Sequence, residues 1–365
     1  MPPSPPQRPR NYLLLSVVAT TLVIFLLVLL AEGGVRLRQW LRHGQTGTVD
    51  SLLVHDAASG LAIPRPGVHN GKIGINALGF RGPELATEKP GLRLAFLGAS
   101  TTFCSEVSSD AAAWPHLVAE RVRQASPGLA VDFVNAGVPG YVVDTSTKNW
   151  RHRVSRLQPD VVVIYHATND LSQDTRALAI RQGLQPAERR ETSWLAKHSM
   201  LWFLVEKTWA VKTAQRRAVS DTPRLNAIPP DLPLGFQARL TRLVREVQAQ
   251  GVMVALPTFT HRLRREQSPE EQLKAAESAL YYMPYMSLPA LLEGYEAYNR
   301  AIREVARETG ALLIDGEYAI PGDAIHFTDS VHFTDTGSAV MAQRVSQALL
   351  ASPQFQSLLA RSRGQ

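Results

Sequence analysis

The chain has 365 residues, 45% of them hydrophobic, which suits one large domain or two modest ones with ample core. Its one cysteine, Cys104, excludes an internal disulfide and a Cys-rich metal site. The net charge of +7 is spread over small arginine clusters such as Arg189-Arg190, Arg216-Arg217 and Arg262 to Arg265. That pattern reads as a solvated basic surface beside anionic lipid, and no nucleic-acid recognition motif accompanies it.

Residues 1–11 form a Pro-rich tail carrying Arg8 and Arg10. Residues 12–31, YLLLSVVATTLVIFLLVLLA, then run without a charge. About 20 apolar residues match the hydrocarbon thickness of a bilayer. A cleaved signal peptide is the competing reading, but its apolar core is shorter, about 7–15 residues, and ends at a small-x-small site. An uncleaved single-pass anchor is therefore expected. Arginines flank both ends, so charge does not set the orientation. The body is placed outside the cytoplasm, periplasmic or extracellular. Residues 32–91 read as a connector of turns, rich in Gly and Pro.

From Leu92 strands and helices alternate. Leu92 to Leu97, Val131 to Asn135, Asp160 to Tyr165, Val252 to Leu256 and Ala311 to Asp315 read as strands. Asp110 to Gln124, Asp144 to Leu157, Leu234 to Gln250, Leu291 to Thr309 and Thr334 to Leu350 carry helical spacing between them. Five such units predict a parallel sheet between two helical layers, over residues 92–350. Two insertions interrupt it, about 171–231 and 259–290. Both leave carboxyl ends of strands and are expected to stand over the first turn. Residues 351–365 are left as a tail.

The first strand breaks at Gly98 and delivers Ser100 to a strand-to-helix turn, where ligands bind in open α/β sheets. Alone, Ser100 could merely cap the helix. Three further turns converge on the same edge. They carry Gly137 in Asn135-Ala136-Gly137, Asn169 in His166-Ala167-Thr168-Asn169-Asp170, and Asp329 with His332 before the last helix. This is the kit of acyl transfer. His332 can take the Ser100 proton, and Asp329 can hold the imidazole. The Ser100 N–H, the Gly137 N–H and the Asn169 amide can meet an oxyanion. Each piece also has a plain reading as a turn or cap residue. Asp323, His326, Asp329 and His332 share a threefold spacing that resembles a metal cluster, without a third ligand group in context. Cys104 reads as packing. His166, with Tyr281 and Tyr285 of the second insertion, is assigned to the substrate pocket.

The blocks FLGASTTF, VNAGVPGY, YHATND and DSVHFTDTG resemble those of the SGNH/GDSL hydrolases, in family order. The resemblance implies a flavodoxin-like three-layer α/β/α fold and serine esterase or acyl-transfer chemistry. It implies Ser100 as nucleophile, Asp329 and His332 as the rest of the triad, and Gly137 and Asn169 in the oxyanion hole, with no cofactor and no metal. Ala99 and Ala167 depart from the family pattern beside two of these residues. The expected substrate is an acylated, foremost O-acetylated, small molecule or glycan of the cell envelope. An O-acyltransferase using the same triad and a non-catalytic glycan-binding protein are the alternatives.

Overall fold

A computed structural model describes residues 11–43, 52–86, 88, 89, 91–184, 193–218, 220 and 222–363. The Pro-rich tail with Arg8 and Arg10, and the Arg189-Arg190 pair, lie outside them. The chain divides into two units, residues 1–47 with 190–208, and residues 48–189 with 209–365.

The first unit is helical. Helix α1, Asn11–His43, extends well past Ala31, where the uncharged run ends. Among the described residues Tyr12–Leu41 is the one helix long and apolar enough to cross a membrane.

In the second unit, β1 (Leu53–Asp56) and β2 (Leu61–Pro64) pair antiparallel. The main chain then alternates. Strand β3 is Leu92–Gly98, followed by the short helix α2, Ser100–Phe103, and by α3, Trp114–Ala125. Then come β4 (Val131–Gly137), α4 (Val143–Asn149), β5 (Val161–Tyr165) and α5 (Thr168–Arg181). Helices α6, Trp194–His198, and α7, Met200–Ala218, begin in the first unit. The chain continues through α8 (Leu232–Gln248), β6 (Met253–Pro257), α9 (Pro269–Ala275), α10 (Glu277–Tyr282) and α11 (Leu288–Thr309). It closes with β7 (Leu312–Ile314), α12 (Asp335–Ala351) and α13 (Pro353–Arg363).

The five parallel strands lie in the order β4-β3-β5-β6-β7. In order of appearance that is 2-1-3-4-5, the flavodoxin-like arrangement, whose switch point falls between the first and third strands. Every residue of β3, β5 and β6 is buried, as a sheet covered on both faces demands. Helix α3 packs with α12, and α8 packs with α11 and α4, forming the two covering layers. Register aligns the carboxyl ends, because Gly98 pairs with Gly137 on one side and with Tyr165 on the other. The three following loops therefore leave the sheet at one level, around the switch point.

The segment after β2 is tightly bonded. Asn76 Oδ1 accepts the N–H groups of Leu78 and Phe80, and Arg81 is buried beside α2. The helix expected to Leu157 stops at Asn149 and continues as one wide and one tight turn. The expected C-terminal tail is α13, which buries Phe355, Leu358 and Leu359 against the core.

Candidate active site

The turn after β3 is closely packed. A Cβ at Gly98 would lie 2.0 Å from Thr102 Oγ1 and 2.8 Å from the Tyr165 carbonyl. Glycine alone lets the chain reverse there. Helix α2 spans one turn, and its first residue is Ser100. It ends at Cys104, a non-glycine residue in the left-handed region at φ 62°. Asn135 Nδ2 donates to the Thr102 carbonyl of that turn at 3.0 Å, and two further side chains hold it. Trp114 Nε1 donates to the Thr101 carbonyl at 2.9 Å. The Arg81 guanidinium donates to the carbonyls of Phe103, at 2.6 Å, and Cys104, and its Nε reaches Asp110 at 2.7 Å. Sequence reasoning missed Arg81, since nothing local marks an arginine whose partners lie more than 20 residues on.

The loop before α12 supplies the other partners. Asp329 Oδ1 accepts the N–H groups of Val331 and His332, both at 2.9 Å. Its Oδ2 lies 2.8 Å from His332 Nδ1. The carboxylate accepts Nδ1–H, which leaves the Nε2 lone pair facing outward. Nε2 lies 2.8 Å from Ser100 Oγ, whose O–H donates to it. Burial pushes the Asp329 carboxyl up, but the adjacent imidazole and the two N–H groups outweigh it and hold it below the usual carboxylate range. The second insertion is tied to this loop. Arg262 N–H donates to the Ser330 carbonyl, Ala279 N–H to Ser330 Oγ, and Ser330 N–H to Ser278 Oγ.

Gly137 and Asn169 occupy different situations. The Gly137 N–H already donates to Asn135 Oδ1 at 3.1 Å, inside the core. A Cβ there would lie 2.6 Å from the Phe103 nitrogen. Gly137 thus permits two turns to touch, and its N–H is committed, which corrects its assignment to the oxyanion hole. Three residues on, Val138-Pro139-Gly140-Tyr141 is a turn closed by Tyr141 N–H to the Val138 carbonyl. Gly140 has φ 83°, as the third position of a type II turn requires, and is exposed. Asn169, partly exposed, donates from Nδ2 to the Tyr141 carbonyl at 2.9 Å, so it sits at this turn. The Pro-Gly pair was the sequence signal for the outer glycine.

Residues 96–340 match the model of the GDSL-like lipase/acylhydrolase family. This chain belongs to that family. It is accordingly a hydrolase of ester bonds. Among solved structures it is similar to Axe2, an acetylxylan esterase from Geobacillus stearothermophilus, with 16% identity over 71% of this chain and 94% of that one, at a TM-score of 0.44. It is also similar to the acetyl xylan esterase AlAXEase, with 16% identity over 70% of this chain and 99% of that one, at 0.41. No curated protein matched the chain.

The aromatic and histidine assignments of this acylhydrolase change. His166 is 3% exposed and bonds Ser146 Oγ through Nε2 at 2.8 Å, and burial pushes its pKa down to about 3. Tyr285 is also 3% exposed, and its hydroxyl donates to the Ser172 carbonyl. Both are interior packing groups with no surface to offer a substrate. Tyr281 is partly exposed and packs edge-on against Tyr282. Asp323 and His326 pair with each other, 2.8 Å apart, as a separate dyad.

Proposed function

We propose that this acylhydrolase is a serine esterase that removes acyl groups, O-acetyl foremost, from a carbohydrate of the cell envelope. The observation that carries the proposal is the run from Asp329 through His332 to Ser100 Oγ, with both links at 2.8 Å. His332 Nε2 takes the hydroxyl proton as Oγ attacks the ester carbonyl. The tetrahedral oxyanion meets the Ser100 N–H, the Gly140 N–H and the second N–H of the Asn169 amide, whose first is bonded to Tyr141. His332 then gives its proton to the leaving sugar oxygen, and an acyl group stays on Ser100. Water attacks next, losing a proton to His332, which returns it to Ser100 Oγ as the acyl–oxygen bond breaks and the acid leaves. The imidazolium formed in each half is stabilised by Asp329.

The apolar run of α1 supports a membrane anchor with the catalytic unit outside the cytoplasm. An envelope polymer is then within reach of a tethered enzyme. A fluorophosphonate probe is expected to label the full-length protein and to lose its target in Ser100→Ala. Equal labelling of the two would overturn the assignment. Acetate release from acetylated oligosaccharides, measured with a glycan acceptor present, separates hydrolysis from transfer. Acylated acceptor in excess over free acetate would convert the proposal to an acyltransferase.

A further inference from the structure

We propose that α6 and the first turns of α7 lie along the bilayer surface as an aromatic collar, carried by α1 through Glu32. The proposal rests on the membrane-anchor reading of α1.

Every described side chain from Tyr12 to Ala31 is exposed, and Glu32 is the first charge that follows. A carboxylate at the edge of hydrocarbon is costly unless its oxygens are matched. Here they are. Glu32 accepts Met200 N–H at 2.9 Å, Leu201 N–H at 2.8 Å, Ser199 Oγ–H at 2.8 Å and Arg36 Nε–H at 2.6 Å. Arg36 also donates to the His198 carbonyl at 3.1 Å. Unpaired N–H groups at the start of a helix welcome a carboxylate. Glu32 thus bolts the α6–α7 corner to α1 at the height where the apolar run stops.

That corner shows water the wrong residues. Trp194 is 69% exposed, Leu195 48%, Trp202 42% and Val205 49%. The two indoles keep polar partners. Trp202 Nε1 donates to Glu206 at 2.7 Å, and the Trp194 ring lies 4.7 Å from His198. An apolar body with a wet edge is what the headgroup zone selects, and tryptophans concentrate there. Exposed basic residues stand nearby in the chain, Arg38 on α1 and Lys197 on α6, as anionic headgroups favour. Continuity with the spanning helix singles out lipid as the occupant, because any face fixed to α1 at Glu32 is already at the membrane boundary.

The test uses the full-length protein in vesicles of phosphatidylcholine and phosphatidylglycerol. An environment-sensitive fluorophore is placed on Leu195→Cys, Val205→Cys, Ile24→Cys and Arg156→Cys in turn. Cys104 is buried and stays unlabelled. Spin-labelled lipids quench it, with the nitroxide either near the headgroup or at the bilayer centre. Positions 195 and 205 are expected to be quenched about twofold more by the shallow label than by the deep one, and position 24 the reverse. Position 156 responds to aqueous iodide alone. Glu32→Gln is expected to cut the lipid quenching at 205 about twofold, as the corner swings from α1. Iodide quenching at 195 and 205 equal to that at 156, with position 24 still quenched by the deep label, would sink the collar and leave the anchor standing. Protection of 195 and 205 from both iodide and lipid labels would sink it too, since protein would then cover the face. Loss of lipid quenching at position 24 would overturn the anchor and the collar together.

Discussion

Two Asp-His pairs lie six residues apart, and they are built alike. Asp323 Oδ1 accepts the N–H groups of Ile325 and His326, and Asp329 Oδ1 those of Val331 and His332. Each histidine holds its own aspartate at 2.8 Å through Nδ1. Both carboxyls sit below their usual range, burial pushing up and the histidine contact outweighing it. The difference is on the far edge of the ring. His332 Nε2 meets Ser100 Oγ, 232 residues away in sequence. No serine hydroxyl bonds the His326 ring among the described residues. An Asp-x-x-His turn is thus a local motif that a short loop makes by itself. Chemistry enters only where the sheet register delivers a hydroxyl to it.

The sharpest way to break the comparison is to delete each ring. His332→Ala is expected to lower kcat on p-nitrophenyl acetate about 10³-fold or more, and His326→Ala to leave it within about twofold. Equal losses would mean the outer dyad also reaches the substrate. Neutralising the carboxylates comes next. Asp329→Asn is expected to cost about 10²- to 10⁴-fold in kcat, Asp323→Asn almost nothing. The same variant has a pH signature. A depressed carboxyl contributes stability above its unfolded pKa of about 4, lost as pH falls through the folded value. The Tm gap between wild type and Asp329→Asn should therefore hold from pH 8 to 5 and narrow progressively as pH falls below about 4. A gap that already closes at pH 6 would contradict the ionised Asp329 carboxylate.

Smaller effects follow around the serine. Asn169→Ala is expected to lower kcat about 10²-fold with KM little changed, the mark of a group that acts on the oxyanion. A loss confined to KM would make Asn169 a binding residue. Gly137→Ala is expected to cost about 1–3 kcal/mol in urea unfolding, because its methyl meets the Phe103 backbone. Gly140→Ala meets no atom within 4 Å and carries only the strain of its positive φ, about 1 kcal/mol. Smallest is a null result. Burial pushes the Cys104 thiol up to about 12, so iodoacetamide at pH 8 should leave the folded protein unmodified. Rapid alkylation would show that the turn after Ser100 opens.

Much of this was legible from residues alone. The uninterrupted β-branched run of Val161 to Ile164 announces a strand buried on both faces, and Ser100, Asp329 and His332 stand in recognisable blocks. Spacing does not say which of Gly137 and Gly140 ends a strand and which tops a turn. Tyr285 hides for a related reason, since an aromatic after a strand's carboxyl end can fold inward. The closing helix α13 does carry a signal, Phe355, Leu358 and Leu359 at helical spacing.

Arg81 gives the segment ahead of β3 a duty beyond linkage. Its side chain plugs the turn that follows Ser100, donating to the carbonyls of Lys72, Phe103 and Cys104 and to the Asp110 carboxylate. A fragment trimmed to begin at Leu92 would keep Ser100, Asp329 and His332 and lose the plug, leaving the buried carbonyls of Phe103 and Cys104 unmatched. The smallest piece that can be expected to turn over substrate therefore starts upstream of Arg81, some way before the first strand of the parallel sheet.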